Sequence, residues 1–388
     1  PPGRTETLPG YASCSPGGPR RDRGVSRASM RIAVLVPGLA RHDAVSNDTL
    51  GMAAALRRIG HEIAVFAPNA SGVEEPVHVP DTIQSWLRSA DDVVLYHYCV
   101  GWDFPLALFR RTPARRVVRY HNITPPEFFA DWSPGYVAAC AEGRAQLDAF
   151  AGMNCELYLG CSPYNLEDFT ARGVDPRRCA VLPPFHEVES LRALEPDARR
   201  LPAGSPLLLM VGRLAPNKAH ADLVDAFAVL RRTRADAHLL SIGKLDPNLA
   251  RYGEALAGLI RARGVEAGVT LRQDADGAEL RAAYARADAL VMLSGHEGFC
   301  VPLIEAMALG TPVVARATSA IPWTLGDAGL LWESADPHLI ATAALRVADD
   351  AGLRTCLVER GRARYAAAFA PAVLERGLAA SIARLAHR

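Results

Sequence analysis

The stretch DALVMLSGHEGFCVPLIEAMALGTPVVA, residues 288–315, decides how the rest of the chain is read. It opens on a short apolar strand at 288–293, passes through a polar loop with Gly295 and Gly298, and enters a helix over 302–309. Pro302 suits a first helical turn, where a missing N–H leaves nothing unpaired. Gly310 stops the helix, and a second apolar strand follows at 312–315. Strand, helix and strand joined this closely make a parallel crossover unit. In open parallel sheets ligands sit beyond the carboxyl ends of the strands, and the loop after 293 lies at such an end.

The same alternation extends outward. Strands at 206–211, 237–242 and 268–272 alternate with helices at 219–232, 249–263 and 277–286. Beyond the quoted stretch come a strand at 328–332 and helices at 337–349, 351–368 and 372–386. The first half of the chain repeats the pattern from Met30, with strands at 31–36, 62–66, 92–96, 116–120 and 156–161. A helix at 47–59 follows the first of these and closes on Gly60. Residues 185–205 are polar, carry Pro196, Pro202 and Gly204, and fit no strand. They read as a linker between a first domain at 30–184 and a second at 206–370, with a C-terminal helix at 371–388. Residues 1–29 are rich in Pro, Gly, Ser and Arg and lack the apolar core of a signal peptide, so they read as a disordered leader.

Composition narrows the class. Hydrophobic residues at 49% against 22% charged describe a packed globular chain. The net charge of +1, from 43 basic and 42 acidic residues, gives no electrostatic reason to expect nucleic acid. The 8 cysteines are scattered without a CxxC pair, which points to a reducing cytoplasm and no structural zinc. No apolar run approaches the roughly 18 residues that span a bilayer. The helix at 372–386 carries Arg376 and Arg384, with Arg388 beyond it, around an apolar face. Such a helix can lie on an anionic membrane, but packing back across the domains is the preferred reading. The expected location is the cytoplasm, with the inner face of the membrane as the second option.

Two motifs follow second-domain strands. Gly212-Arg213-Leu214-Ala215-Pro216-Asn217-Lys218 ends the strand at 206–211, and a helix begins directly after it. Gly212 lets backbone approach a ligand, while Arg213, Lys218 and the unpaired N–H groups of the next helix supply positive charge suited to a diphosphate. The alternative is a surface loop with two solvated cations. The loop at 294–301 supplies Glu297, and the helix after it supplies Glu305. A carboxylate accepts from two neighbouring hydroxyls of a ribose or hexose, or it is simply solvated.

Taken together, Glu297 and Glu305 in the frame SGHEGFCVPLIEAMALGTPVVA, with GRLAPNK upstream, resemble the retaining GT-B glycosyltransferases of family 4. The resemblance covers Met30 to the C-terminus and implies two Rossmann-like parallel-sheet domains facing across a cleft. It implies that Glu305 holds the ribose hydroxyls and that Glu297 contacts the transferred sugar. Arg213 and Lys218 would clamp the diphosphate, and backbone N–H groups of Gly298, Phe299 and Cys300 would hold sugar or phosphate. The family usually has a second glycine where this chain has Cys300.

On the first domain, the strand at 116–120 runs into His121-Asn122. A lone histidine is more often structural, but its place after a strand and the resemblance assign His121 to the donor sugar, with Asn122 beside it. His97, within Tyr96-His97-Tyr98, is a candidate for the acceptor side. The loop after the first strand resembles the family's acceptor or phosphate loop, from which Gly38 and Asn47 carry over.

Asp274-Ala275-Asp276 has the form of a metal-holding pair, yet Asp276 followed by Glu279 reads as a helix capping box. The expectation is therefore a metal-independent, retaining hexosyltransferase that uses a UDP or GDP sugar as co-substrate and no cofactor. Its acceptor is a glycan, a lipid-linked glycan or a small molecule. Rival readings are a nucleotide-sugar epimerase or a non-catalytic nucleotide-sugar binder on the same fold. A dinucleotide oxidoreductase is disfavoured because no GxGxxG follows the first strand.

Overall fold

A computed structural model describes residues 29–41 and 43–385. The leader expected over 1–29 therefore lies outside the described residues, Ser29 apart, as does Arg388.

The first half begins β1 (Arg31–Leu35), β2 (Leu39–Ala40), α1 (Ala44–Arg58), β3 (Glu62–Phe66), β4 (Ala70–Ser71) and β5 (Val77–His78). It continues through α2 (Ile83–Trp86), β6 (Val93–Tyr98), α3 (Asp103–Arg111), β7 (Arg115–Tyr120) and α4 (Pro134–Gly152). It closes with β8 (Leu157–Gly160), α5 (Pro163–Thr170) and β9 (Cys179–Val181). Seven of these strands form one parallel sheet in the order β5-β3-β1-β6-β7-β8-β9, while β2 and β4 pair separately. Strands such as Ile32–Leu35 and Val93–Tyr98 are buried throughout, because helices cover both faces.

The second half holds α6 (Val188–Ala193), β10 (Leu207–Val211), α7 (His220–Arg231), β11 (His238–Ile242), α8 (Ala250–Ala262) and β12 (Val269–Arg272). After α9 (Gly277–Arg286) come β13 (Ala289–Met292), α10 (Val301–Leu309), β14 (Val313–Arg316), α11 (Ile321–Leu325) and β15 (Leu330–Trp332). Three helices end the chain, α12 (Pro337–Asp349), α13 (Ala351–Ala368) and α14 (Pro371–Ala383). The six strands are parallel in the order β12-β11-β10-β13-β14-β15.

Each sheet grows outward in two directions from its first strand. The reversal falls between β1 and β6 in one sheet and between β10 and β13 in the other. Connections leave such a pair toward opposite faces, so a crevice opens at their carboxyl ends. In the second sheet the two loops at that crevice are 212–218 and 293–300, the loops that carry the motifs.

Several expectations change. The strand expected at 92–96 continues to Tyr98, which puts His97 inside the sheet. Helix α1 starts at Ala44 rather than 47, because the Asp43 side chain accepts from the Ser46 N–H and caps it there. Asn47 and Asp48 therefore lie within the helix. Within the linker expected over 185–205, residues Val188–Ala193 form α6, which packs against α9 and α10.

The C-terminal segment packs back across the domains, the preferred of its two expected uses. Among described helical residues, the run 351–383 is long and apolar enough, by composition alone, to cross a membrane. Its two helices are instead spent on two different cores. Leu357, Gly361 and Tyr365 of α13 are buried, and this helix packs on α10 of the second domain. Leu374, Leu378 and Ile382 of α14 join the core under α1 of the first domain. The apolar face on which a membrane-surface reading rested is thus occupied by protein.

Candidate functional site

The second-domain half of the site is assembled by the β10–β13 crevice. Asn217 and Gly295 lace its two loops together, the Gly295 N–H donating to Asn217 O at 2.9 Å and Asn217 Nδ2 donating to His296 O at 3.3 Å. Lys218 Nζ then reaches Glu297 Oε1 at 2.6 Å, and Ser294 Oγ donates to the same oxygen at 2.8 Å. The Glu297 N–H is fixed by Ser319 Oγ at 2.8 Å. Glu297 is buried and Lys218 half-buried, so the pair is strong, oriented and short of water.

Cys300 explains why a glycine is usual in its place. Its φ of 74° lies in the left-handed region at the start of α10, where a Cβ is disfavoured by about 1–2 kcal/mol. The thiol is buried, and desolvation followed by the neighbouring Glu297 charge pushes it far above the usual thiol range. It is a neutral packing group. Phe299 sends its ring into the core against Trp323 and Phe369, and its carbonyl accepts from Thr324 Oγ1 at 2.7 Å.

Glu305 stands apart from Glu297. It accepts from Tyr284 Oη at 2.6 Å, and burial raises its pKa above the usual 4.5. Arg213 is exposed and lies beside Tyr136 and Asp246, which are joined across the domains by a 2.8 Å hydrogen bond. Gly212 has a φ of 152°, and its α-carbon faces the Lys218 side chain.

The first-domain half comes from the ends of β6 and β7. His121 Nε2 lies 3.0 Å from His97 Nδ1 and 3.6 Å from Asp48 Oδ2, and His121 Nδ1 lies 3.8 Å from Cys161 Sγ. Burial lowers the pKa of both imidazoles well below 6.5, so both are neutral. His97 is completely buried, which corrects its assignment to an open acceptor face. Asn122 follows with a left-handed φ of 69°, and its buried Oδ1 has no hydrogen-bond partner among the described residues. Asn47 Nδ2 approaches Glu187 Oε2 at 3.5 Å. Gly38 has room, with Asn69 O 3.9 Å from where a Cβ would sit, so nothing there demands glycine.

The halves meet at Gly298. A Cβ there would sit 2.4 Å from His121 O, closer than any real contact, so only glycine lets the loop dock. Ser162 Oγ secures the contact by donating to Gly298 O at 2.9 Å. Lys218, Glu297, Gly298, His121 and Asn122 therefore share one neighbourhood, with Glu305 and Arg213 turned toward other partners. Sequence reasoning missed Asp48, Arg119, Ser162 and Ser294. Arg119 carried a signal, a charge set directly after Val117-Val118 near the end of the strand RRVVRY.

The Asp274–Asp276 pair is occupied. Arg200 Nη2 lies 2.7 Å from Asp274, and Asp276 caps α9 by accepting from the Glu279 N–H at 2.8 Å. The reciprocal half of the capping box is missing, because the Glu279 carboxylate turns to Arg200 at 3.2 Å and Arg272 at 3.4 Å. Asp48, His121 and Cys161 also lie within mutual reach of a cation. However, Arg119 Nε sits 2.8 Å from Asp48 Oδ2, and a guanidinium there opposes a second positive charge.

Comparison with known proteins completes the picture. Residues 205–350 match the family described as "Glycosyl transferases group 1". A D-inositol 3-phosphate glycosyltransferase of Kineococcus radiotolerans is 31% identical over 374 residues, spanning 81% of this chain and 84% of that protein. A sucrose-phosphate synthase from Thermosynechococcus elongatus aligns in structure with a TM-score of 0.74 at 21% identity, covering 92% of this chain and 99% of that one. Anabaena HepE, solved with UDP-glucose, aligns with a TM-score of 0.73 at 16% identity, covering 91% and 99%. At such identities the structural likeness speaks for the fold, the GT-B pairing of two parallel-sheet domains.

Proposed function

The chain belongs to the glycosyl transferases group 1 family, and from that premise we propose that it is a retaining, metal-independent hexosyltransferase of family 4, using a UDP sugar. The observation that carries the reading is the Lys218–Glu297 pair, 2.6 Å apart at the second-sheet crevice and facing His121 through Gly298. In this reading Lys218 binds the diphosphate, and Glu297, released from it, accepts hydrogen bonds from the sugar hydroxyls. Arg213 swings from Tyr136 and Asp246 to add a second cation, and Glu305 takes the ribose hydroxyls. Preorganised charge of this kind acts on the bond that breaks without a metal.

The bond between the sugar C1 and the β-phosphate oxygen breaks, and its electron pair stays on the phosphate. The acceptor hydroxyl forms the new C1–O bond from the same face and passes its proton to the departing phosphate oxygen. A glycosylated acceptor and a nucleoside diphosphate result. UDP is favoured over GDP because HepE was solved with UDP-glucose. D-inositol 3-phosphate is the first acceptor to try, since the Kineococcus relative is named for it. Glycans and lipid-linked glycans come next. Free cysteines, Cys99 and Cys161 among them, accord with a reducing cytoplasm as the location.

The test is UDP release from UDP-glucose with each acceptor, followed by NMR of the product's anomeric proton. Lys218→Ala is expected to lower kcat by roughly a hundredfold or more. EDTA is expected to leave the wild-type rate unchanged. Undiminished turnover in Lys218→Ala would remove this residue from the site, and an inverted anomer would end the retaining assignment.

A further inference from the structure

Under His121 lies a group of charges that the transfer reaction does not itself require. Asp48 on α1 and Arg119 on β7 are both completely buried. Asp48 Oδ2 accepts from Arg119 Nε at 2.8 Å, Asp48 Oδ1 accepts from the Phe185 N–H at 2.8 Å, and Arg119 Nη1 donates to Leu182 O at 2.6 Å. Arg119 Nη2 is buried without a hydrogen-bond partner among the described residues. A buried ion pair is commonly less stable than apolar residues of the same volume. The pair therefore sits at some expense to the fold, between the first sheet's central strands and α1.

What it faces is the histidine couple. Asp48 Oδ2 is 3.9 Å from His97 Nδ1 and 3.6 Å from His121 Nε2, and the two rings meet edge to edge, 27° from parallel, with centroids 5.2 Å apart. One proton must lie in the 3.0 Å gap between His97 Nδ1 and His121 Nε2. Were it carried by His121, neutral His97 would hold its own proton on Nε2, which is buried and has no partner among the described residues. A buried donor left unpaired is the costlier and rarer defect. Carried by His97, the proton leaves only a lone pair on that Nε2. His121 then bears its proton on Nδ1, directed at Cys161 Sγ 3.8 Å away, and the Cys161 thiol itself donates to Tyr120 O at 3.6 Å.

We infer that His97 is a positioning residue that holds His121 as its Nδ1–H tautomer, with the Nε2 lone pair consumed inside the domain beside the buried Asp48–Arg119 pair. The inference rests on the reading that His121 lies at the donor site. Two consequences follow for the reaction. The His121 imidazole has no free lone pair with which to deprotonate an acceptor hydroxyl. It also stays uncharged beside an anomeric carbon that gains positive charge as the donor bond breaks, where an imidazolium would repel that charge.

The test has two arms. In protein labelled with ¹⁵N-histidine, with His121 signals assigned from their loss in His121→Gln, Nε2 is expected to resonate as an unprotonated nitrogen and Nδ1 as protonated. A protonated Nε2 in the wild type would overturn the inference. This arm needs no substrate, so it stands even if UDP-glucose proves to be the wrong donor. The second arm compares His97→Leu with His97→Asn, whose amide can donate from the Nδ1 position. With UDP-glucose as probe, His97→Leu is expected to lose roughly ten- to a hundredfold in kcat with little change in KM, and His97→Asn to recover most of it. Equal rates in the two variants, both folded by circular dichroism, would reduce His97 to a packing role and overturn the inference. Should both variants unfold, the ¹⁵N assignment in the wild type decides.

Discussion

Glu305 is held by the fold at some cost. Among the described residues its hydrogen-bond partner is the Tyr284 hydroxyl, and burial raises its pKa above the usual 4.5. A carboxyl whose pKa is raised by folding binds its proton more tightly when native, so it favours the native state below about pH 4.5. It opposes folding once the pH has risen through the native pKa. Glu305→Gln keeps an acceptor for Tyr284 and removes the charge. Its urea midpoint is expected to exceed the wild type's at pH 7, with the gap closing below pH 4.5, while binding of a UDP sugar weakens. An unchanged midpoint at pH 7 would show that Glu305 carries no such strain. At this scale the sequence revealed Lys218 and Glu297 because motif spacing reports loops at strand ends. It did not reveal Asp48, because nothing in SND marks which helical face meets a buried arginine 71 positions later.

Secondary-structure elements were read more evenly. Strands β1, β3 and β10 to β15 were marked to within one or two residues, because parallel strands packed under helices are rich in Val, Ile and Leu. The start of α1 was misplaced because an Asp43 cap outweighs the apolar period that suggested 47. The helix α6 was missed because six residues show too little of a helical period. The C-terminal helices were seen, and the return of the last one across the domains was expected, but the sequence does not state the allegiance of each apolar face to one core or the other. That allegiance predicts a cost. Leu378 of α14 is fully buried among first-domain residues, so Leu378→Ala is expected to destabilise the protein by about 2–5 kcal/mol. The loss should register in hydrogen exchange of β1 and α1 before that of β10. Loss confined to the second domain would contradict the packing.

Across the whole molecule, buried histidines set the response to acid. Burial is the largest cause at His220 and His296, and it brings each from 6.5 to about 4. Burial lowers His186 in the same direction. A histidine whose pKa falls on folding binds fewer protons when native, so its contribution is complete above pH 6.5 and drains away as the pH drops toward 4. His220 and His296 should each withdraw roughly 3 kcal/mol across that window. The expected result is a urea midpoint that declines steeply from pH 6.5 to pH 4, with a shallower decline in His296→Gln. A flat profile through that window would show the rings to be hydrated.

The return of α14 to the first domain has a bearing on synthesis. A chain emerging from the ribosome finishes β1 through β9 long before Leu374, Leu378 and Ile382 exist. Until they arrive, the part of the α1 core they complete stays greasy and uncovered, a surface on which a half-made chain can stick to its neighbours. Of these two domains, the one made first is sealed second.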